Sequence, residues 1–373
     1  MKFKCKRSDL LAAINTTDKA VASKSTMYIL EGIYIGVKND EARFIGNNLE
    51  LGIDFTIPAN VEIPGEIVVK ANLFSDAVRK LPESEETATI EVDEKGIINL
   101  SCGYAKFDFA TFNVDEFPKL PEVLENAKLS LLEKDFKKML RQTVYAIATT
   151  DIKPVLTGVY FDIRDGIINV VGCDGYRLAI KRMETAISET IKFIIPGKTV
   201  KELLSILEDN SDYEINIVLS SKYLKLQLKN CVFISRLVDG EYMNYELVLK
   251  NTPSLTVVTQ TRQFLNSIDR ASLIINEAMK NYVVLSIGDD IININCESVI
   301  GKVKDKIIAE TSGDGIEIAF NPRYLMDALK NIDTDKIKVQ FSTPSTPVII
   351  EPTDDNSFIS IVTPVKMKKE WLK

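Results

Sequence analysis

The chain repeats one pattern three times at a period of about 125 residues, which limits it to architectures assembled from equivalent units. Gly32-Ile33-Tyr34-Ile35-Gly36-Val37 leads into a polar turn, Lys38-Asn39-Asp40, and then into Ala42-Arg43-Phe44-Ile45-Gly46. The run returns as Gly158-Val159-Tyr160-Phe161-Asp162-Ile163, Arg164-Asp165-Gly166 and Ile167-Ile168-Asn169-Val170-Val171-Gly172. A third copy reads Val283-Val284-Leu285-Ser286-Ile287, Gly288-Asp289-Asp290 and Ile291-Ile292-Asn293-Ile294-Asn295. Each copy has the form of a hairpin, two apolar arms around a turn of Asn, Asp or Gly. Units joined head to tail curve into an arc, and paired arcs can close into a ring. Such an array holds or encircles something.

Two helices are expected in each copy. The leading ones run from Ser8 to Asp18, Glu133 to Ile147 and Thr261 to Ile274. Their apolar stripes are Leu10, Leu11 and Ile14, then Phe136, Leu140 and Val144, then Phe264, Leu265 and Ile268. Ser8 reads as an N-cap. The trailing helices are Asn72 to Leu81, Lys198 to Leu207 and Pro322 to Ile332, the last capped by Asn321 with proline in its first turn. The remaining Ile- and Val-rich segments read as about eight strands per copy, in two βαβββ halves. Pro118, Pro121 and Pro253 punctuate the chain, giving expected domains 1–125, 126–252 and 253–373. Helices this few pack on one side of curved antiparallel sheets, an α+β class.

Composition narrows the chemistry. The 373 residues contain no histidine, which removes Ser-His-Asp and Cys-His catalysis and the commonest metal ligand. Carboxylate or lysine chemistry survives that exclusion. Cys5, Cys102, Cys173, Cys231 and Cys296 are scattered and odd in number, and fit neither a disulfide framework nor a metal site. Four of the five fall in strand-like runs, where a buried free thiol is expected. The basic start, Met1 to Arg7, precedes no unbroken apolar run, and no stretch approaches the ~20 apolar residues of a membrane span. The expected compartment is the cytoplasm, with neither membrane nor cofactor.

The net charge of -7 argues against a surface that coats nucleic acid everywhere, but allows one basic face. Arg7, Lys19, Arg79, Lys80, Lys137, Lys138, Arg141, Lys198, Lys201, Arg262, Arg270, Arg323 and Lys330 all lie in or beside the expected helices. On a single helix such cations are an ordinary solvated face. Six equivalent helices sharing the bias would line one groove or hole suited to a polyanion. No aromatic platform or groove-reading motif accompanies them, so phosphate contacts with little base readout are expected.

Gly172-Cys173-Asp174-Gly175-Tyr176-Arg177-Leu178-Ala179 closely resembles a signature of the bacterial sliding clamps, the β subunits of DNA polymerase III. Phe233 to Gly240, Phe320-Asn321-Pro322-Arg323-Tyr324, Phe117-Pro118-Lys119-Leu120 and Ile361 to Met367 fit the same family in order and spacing. The resemblance covers essentially the whole chain. It implies three tandem DNA-clamp domains and a head-to-tail homodimer, a six-domain ring around duplex DNA. Such a ring is a non-catalytic processivity factor in DNA replication, tethering the replicative polymerase, clamp loader and repair factors. A bacterial, nucleoid-associated location follows. Weak, screened phosphate contacts suit a ring that slides.

The same resemblance implies a partner-peptide pocket between the second and third domains, taking a glutamine and large apolar residues. Its walls here would be Leu156, Cys173, Gly175, Tyr176, Arg177, Leu178, Met243, Leu247, Val248, Asn321, Tyr324, Ile361, Thr363, Pro364 and Val365. Copy one has Glu50 and Leu51 where Tyr176 and Arg177 stand, so the site is specific to one repeat. The family's Phe-Pro-Asp-Tyr is Tyr242-Met243-Asn244-Tyr245 here, and the tail extends through Trp371 beyond the usual end. DNA-facing candidates are Lys24, Arg79, Lys80, Lys137, Arg141, Thr150, Lys153, Lys198 and Lys201. Lys106, Phe107 and Phe109 would meet Leu273 and Ile274 in the dimer, with apolar burial expected to outweigh ion pairs. The competing readings are a clamp paralogue with altered partner binding, and an enzyme using Asp174 with Arg177.

Overall fold

The computed structural model describes residues 1–150, 152–250, 252–275 and 282–367. Trp371, in the extended tail, lies outside the described residues. The chain divides into two compact units, Met1–Lys134 with Ser205–Leu237, and Asp135–Leu204 with Val238–Lys373.

Six helices occur among the described residues: α1 (Arg7–Thr17), α2 (Ala71–Arg79), α3 (Glu133–Val144), α4 (Gly197–Ile206), α5 (Thr261–Ser272) and α6 (Pro322–Lys330). Ser8 is not the cap of α1. The helix starts one residue earlier, behind an extended Lys6 that offers no side-chain cap. Strand Lys2–Lys6 runs directly into it, and the Arg7 N–H is satisfied by the Glu86 carbonyl at 2.8 Å. Ser8 instead donates to Asp9 within the first turn. Helices α3 and α5 stop short of Ile147 and Ile274 because their ends tighten. The Ala146 N–H bonds to the Thr143 carbonyl and the Leu273 N–H to that of Arg270, three residues back. Helix α6 opens as expected, with Asn321 accepting the Arg323 N–H at 3.0 Å and Pro322 in the first turn.

The first unit holds one sheet of thirteen strands, and the second holds sheets of nine and four. Neighbouring strands pair antiparallel, as in Leu51–Pro58 against Glu41–Asn47 and Arg177–Glu184 against Ile167–Cys173. Strands Asn60–Ile63 and Glu310–Gly313, short continuations of Leu51–Pro58 and Gly301–Ile308, raise copies one and three above eight strands. The copies are stitched by sheet pairing. Cys231–Arg236 extends the first copy's sheet with Ser235 opposite Leu51, and Phe358–Val362 extends the second's with Val362 opposite Arg177. Part of the second copy, Ala127–Leu132 and the strands from Glu214 to Arg236, therefore belongs to the first compact unit.

The repeat persists in backbone geometry. The hairpin turns carry paired left-handed residues: Asn39 and Asp40 at φ 51 and 59, Asp165 and Gly166 at 53 and 73, Asp289 and Asp290 at 52 and 59. Two consecutive positive φ values match the right-handed twist of the arms, and Asn, Asp and Gly tolerate them. Gly46 and Gly172 mark a close approach. A Cβ on either would lie 2.1 Å from a helix carbonyl, that of Thr17 or Thr143.

Fully buried aromatics centre the cores, Phe3, Phe44 and Phe74 in the first unit and Phe264, Phe320 and Phe358 in the second. All five cysteines are buried and free, and all five lie in strands rather than four. Burial pushes the Cys5 and Cys231 thiols up to about 12. No helix of the described residues is long and apolar enough to cross a membrane.

Candidate functional site

The second unit gathers the signature residues around one loop, 173–177, between strands Ile167–Cys173 and Arg177–Glu184. Asp174 shapes it by accepting the N–H groups of Tyr176 and Arg177 at 2.8 and 2.9 Å. Gly175 is required by its φ of +90 and not by crowding, since a Cβ there would meet nothing within 4 Å. The Cys173 Sγ accepts the Gly175 N–H at 3.3 Å, and burial raises the thiol's pKa.

Arg177 organises what stands above the loop. Its guanidinium bonds Asp174 at 3.1 Å and Asp327 of α6 at 2.5 Å. It also lies 4.7 Å from the centre of the Tyr324 ring and 5.6 Å from that of Tyr145. A planar cation between two rings and two carboxylates has little rotational freedom. Tyr324 in turn stacks on Tyr176 with ring centres 6.2 Å apart, leaving Tyr176 62% exposed. Three residues apart on α6, Tyr324 and Asp327 share a face, which lets one helix present both to Arg177. Asp327 and Tyr145 are contributors that sequence reasoning missed. The i, i+3 spacing from Tyr324 was the available signal for Asp327; nothing local marks Tyr145.

Beneath lies an apolar cluster in which Leu156, Cys173, Leu178 and Ile361 are buried with Tyr160 and Tyr242, and against which Val248 packs. Tyr242 stacks on Tyr160 at 4.5 Å, and its buried hydroxyl has no hydrogen-bond partner among the described residues. Tyr245 anchors the segment behind it, donating to the buried Asp162 at 2.8 Å. Met243 and Leu247 of that segment remain 38% and 60% exposed. The chain's end is held alongside: Thr363 donates its N–H and hydroxyl to the Tyr176 carbonyl at 2.8 and 2.7 Å. Pro364 follows, and the Val365 N–H reaches the Ala319 carbonyl at 2.7 Å. Asn321 serves as the cap of α6. The arrangement is an apolar floor with an aromatic-cationic wall and exposed apolar residues nearby, a form suited to capturing side chains from a peptide. Asp174 and Arg177 are paired with each other, and Arg177 is shared with Asp327.

The cationic candidates differ among themselves. Arg79 is tied to Asp18 at 2.6 Å, Asp76 at 3.4 Å and Asn15 at 2.9 Å, and Arg141 to Asp333 at 2.9 Å. These two are not free cations. Lys24, Lys80, Lys153, Lys198 and Lys201 are exposed and carry no ion pair among the described residues; Thr150 is exposed and Lys137 half-buried. On strand Ala105–Phe112, Phe107 and Phe109 face their own core, stacked at 6.3 Å with Phe109 edge-on to Phe74 at 5.9 Å. Lys106 and Asp108 point to the other face. Leu273, just past α5, is 78% exposed, and Ile274 is half-buried.

Profiles of the DNA polymerase III beta subunit match the chain in order: the N-terminal domain over residues 1–121, the central domain over 130–244 and the C-terminal domain over 248–366. The beta sliding clamp of Bacillus subtilis is 33% identical over 98% of this chain and all of its own length. That of Staphylococcus aureus is 32% identical over 98% of this chain and 99% of its own. The crystal structure of the Bacillus subtilis sliding clamp superposes with a TM-score of 0.93 at 32% identity, covering 99% of this chain and 100% of that one. The beta subunit of Streptococcus pyogenes gives 0.92 at 26% identity, over 98% and 100%. Three clamp domains of helices and antiparallel sheets, matched end to end at this identity, place the chain in the DNA polymerase III beta subunit family, the non-catalytic sliding clamps of bacterial replication.

Proposed function

We propose that two copies of this chain close head to tail into a ring around duplex DNA, with domain limits near residues 125 and 252. The ring holds the replicative polymerase, the clamp loader and repair factors through the pocket at Tyr176, Arg177 and Tyr324, and works in the cytoplasm at the nucleoid. One observation carries the partner reading. The cation-aromatic stack around Arg177 holds Tyr324 and the exposed Tyr176 together beside an apolar cluster.

Two open strand edges support the ring. Strand Ala105–Phe112 pairs with Ile97–Cys102 from Ala105 to Ala110 and with Gly65–Lys70 only at Thr111 and Phe112, leaving the other edge from 105 to 110 unpaired among the described residues. Gly301–Ile308 ends the four-stranded sheet. An unpaired edge is a template for another strand. Exposed Lys24, Lys153, Lys198 and Lys201 supply the weak phosphate contacts a sliding ring needs.

Sedimentation at micromolar concentration, together with retention on circular and linear duplexes, tests the reading. A dimer retained on nicked circles and released from linear DNA is the expected result. A monomer, or equal retention on both, would overturn it.

A further inference from the structure

The lip of the partner pocket is built twice. After Gly46 the chain runs Asn47-Asn48-Leu49-Glu50-Leu51-Gly52, the counterpart of Cys173-Asp174-Gly175-Tyr176-Arg177-Leu178 after Gly172. Both loops carry the same hydrogen bonds. Asn47 Oδ1 accepts the Leu49 N–H at 2.9 Å, where the Cys173 Sγ accepts that of Gly175. Asn48 Oδ1 accepts the Glu50 and Leu51 N–H groups at 3.1 and 2.8 Å, where Asp174 takes those of Tyr176 and Arg177. Leu49 even adopts the left-handed backbone of Gly175, at φ 72, a strained state for leucine. Opposite, the Arg236 N–H meets the Glu50 carbonyl at 2.8 Å, as the Thr363 N–H meets that of Tyr176.

What fills the two lips differs. Position 52 is glycine where the second lip has Leu178, and a Cβ there would lie 2.3 Å from the Leu120 Cδ2. Asn47 Nδ2 donates to the Pro118 carbonyl at 3.1 Å, fixing the same segment from the other side. We infer that the first lip is a second site for an apolar peptide, kept shut by the chain's own segment 118–120 acting as an intramolecular ligand. A leucine side chain and a backbone carbonyl held by an amide are the same chemistry a partner peptide would bring. The duplication thereby leaves each chain with one open site. This rests on reading the second lip as the partner pocket.

Calorimetric titration of the full chain with a short peptide bearing glutamine, leucine and phenylalanine separates the two ideas. The chain itself should bind one peptide. Leu120→Ala, at a half-buried position, should bind two, the added event being the weaker. Leu120→Ala with Tyr324→Ala should keep only that added event. A folded Leu120→Ala chain, by circular dichroism, that still binds one peptide at saturation overturns the inference and makes Leu120 a wall residue. Should Leu120→Ala not fold, Leu120→Val is scored in the same way. If the unaltered chain binds no peptide, the partner reading fails instead, and the inference is judged by whether Leu120→Ala creates binding.

Discussion

A single guanidinium does the organising at the candidate site, and its surroundings predict how substitutions will act. Arg177 is bound by two carboxylates and flanked by two rings. Lysine keeps the charge but loses the planar fork. Arg177→Lys should weaken binding of a clamp-motif peptide by about tenfold, and Asp327→Asn by a smaller factor, with the melting temperature nearly unchanged. A fluorescence-anisotropy titration checks both; equal affinities would show that the stack is decoration. Asp305 offers a pH test at the same scale. Burial pushes its pKa up, but hydrogen bonds from Ser267 at 2.8 Å, from Arg270 at 2.8 Å and from the Lys306 N–H outweigh that and leave it lowered. A carboxyl with a lowered folded pKa stabilises above its unfolded value near 3.8 and loses that contribution as pH falls through the folded value. Asp305→Asn should therefore cost about 1 kcal/mol at neutral pH. The gap to the unaltered chain should narrow steadily as melts are taken at pH values falling below 3.8. A gap that persists in acid would assign the effect to packing.

At the scale of elements, the hairpin-and-helix unit depends on a few positions where backbone must approach backbone. Gly46 and Gly172 occupy equivalent places, each against the carbonyl of a threonine in the last turn of a leading helix. Those threonines, Thr17 and Thr143, donate their hydroxyls to the carbonyls four residues back, at 2.8 and 2.7 Å. The close approach leaves no room for a methyl group, so Gly172→Ala should destabilise by about 2–3 kcal/mol in urea unfolding. Gly46→Ala should do the same, and a neutral result at either would mean the helix can withdraw freely. The repeats, the hairpin turns and the opening of α6 were legible in the sequence because their signals are local: alternation, paired Asn, Asp and Gly, and Asn-Pro at a helix start. The start of α1 was not legible. Ser8 carries the right chemistry for a cap, yet strand Lys2–Lys6 feeds straight into the helix and the distant Glu86 carbonyl satisfies the first N–H.

For the whole molecule, the proposed dimer must work with less apolar surface than the sequence suggests. Phe107 and Phe109 are partly spent on each other and on Phe74, whereas Leu273 is open. Lys302, Lys304 and Lys306 alternate outward along the sheet-ending strand, and Lys302 is already paired with Glu297 at 2.8 Å. Apolar burial at Leu273 should then dominate. Leu273→Glu is expected to weaken dimerisation by at least about a hundredfold in sedimentation. Raising salt from low to moderate concentration should change the dimer's dissociation constant only a few-fold. A strong salt dependence would shift the weight to Lys106, Asp108 and the lysine edge. DNA binding should behave in the opposite way. Replacing Lys198 and Lys201 by Gln should lower the steepness of the affinity's salt dependence by about one unit for each phosphate no longer neutralised.

By itself the sequence determined the threefold repeat, the six helices and the turns between hairpin arms, all governed by interactions within a few residues. It also marked one repeat as special through Tyr176 and Arg177. Only the tertiary structure decided which charges remain free, since Arg79 and Arg141 are neutralised by partners that no local pattern announces. It likewise decided that Asp327 and Tyr145 belong with Arg177, and that Leu120 fills the space left by Gly52. The physical reason is range. Periodicity and turn chemistry act along the chain, whereas ion pairing and close packing depend on which distant segments the sheets bring side by side.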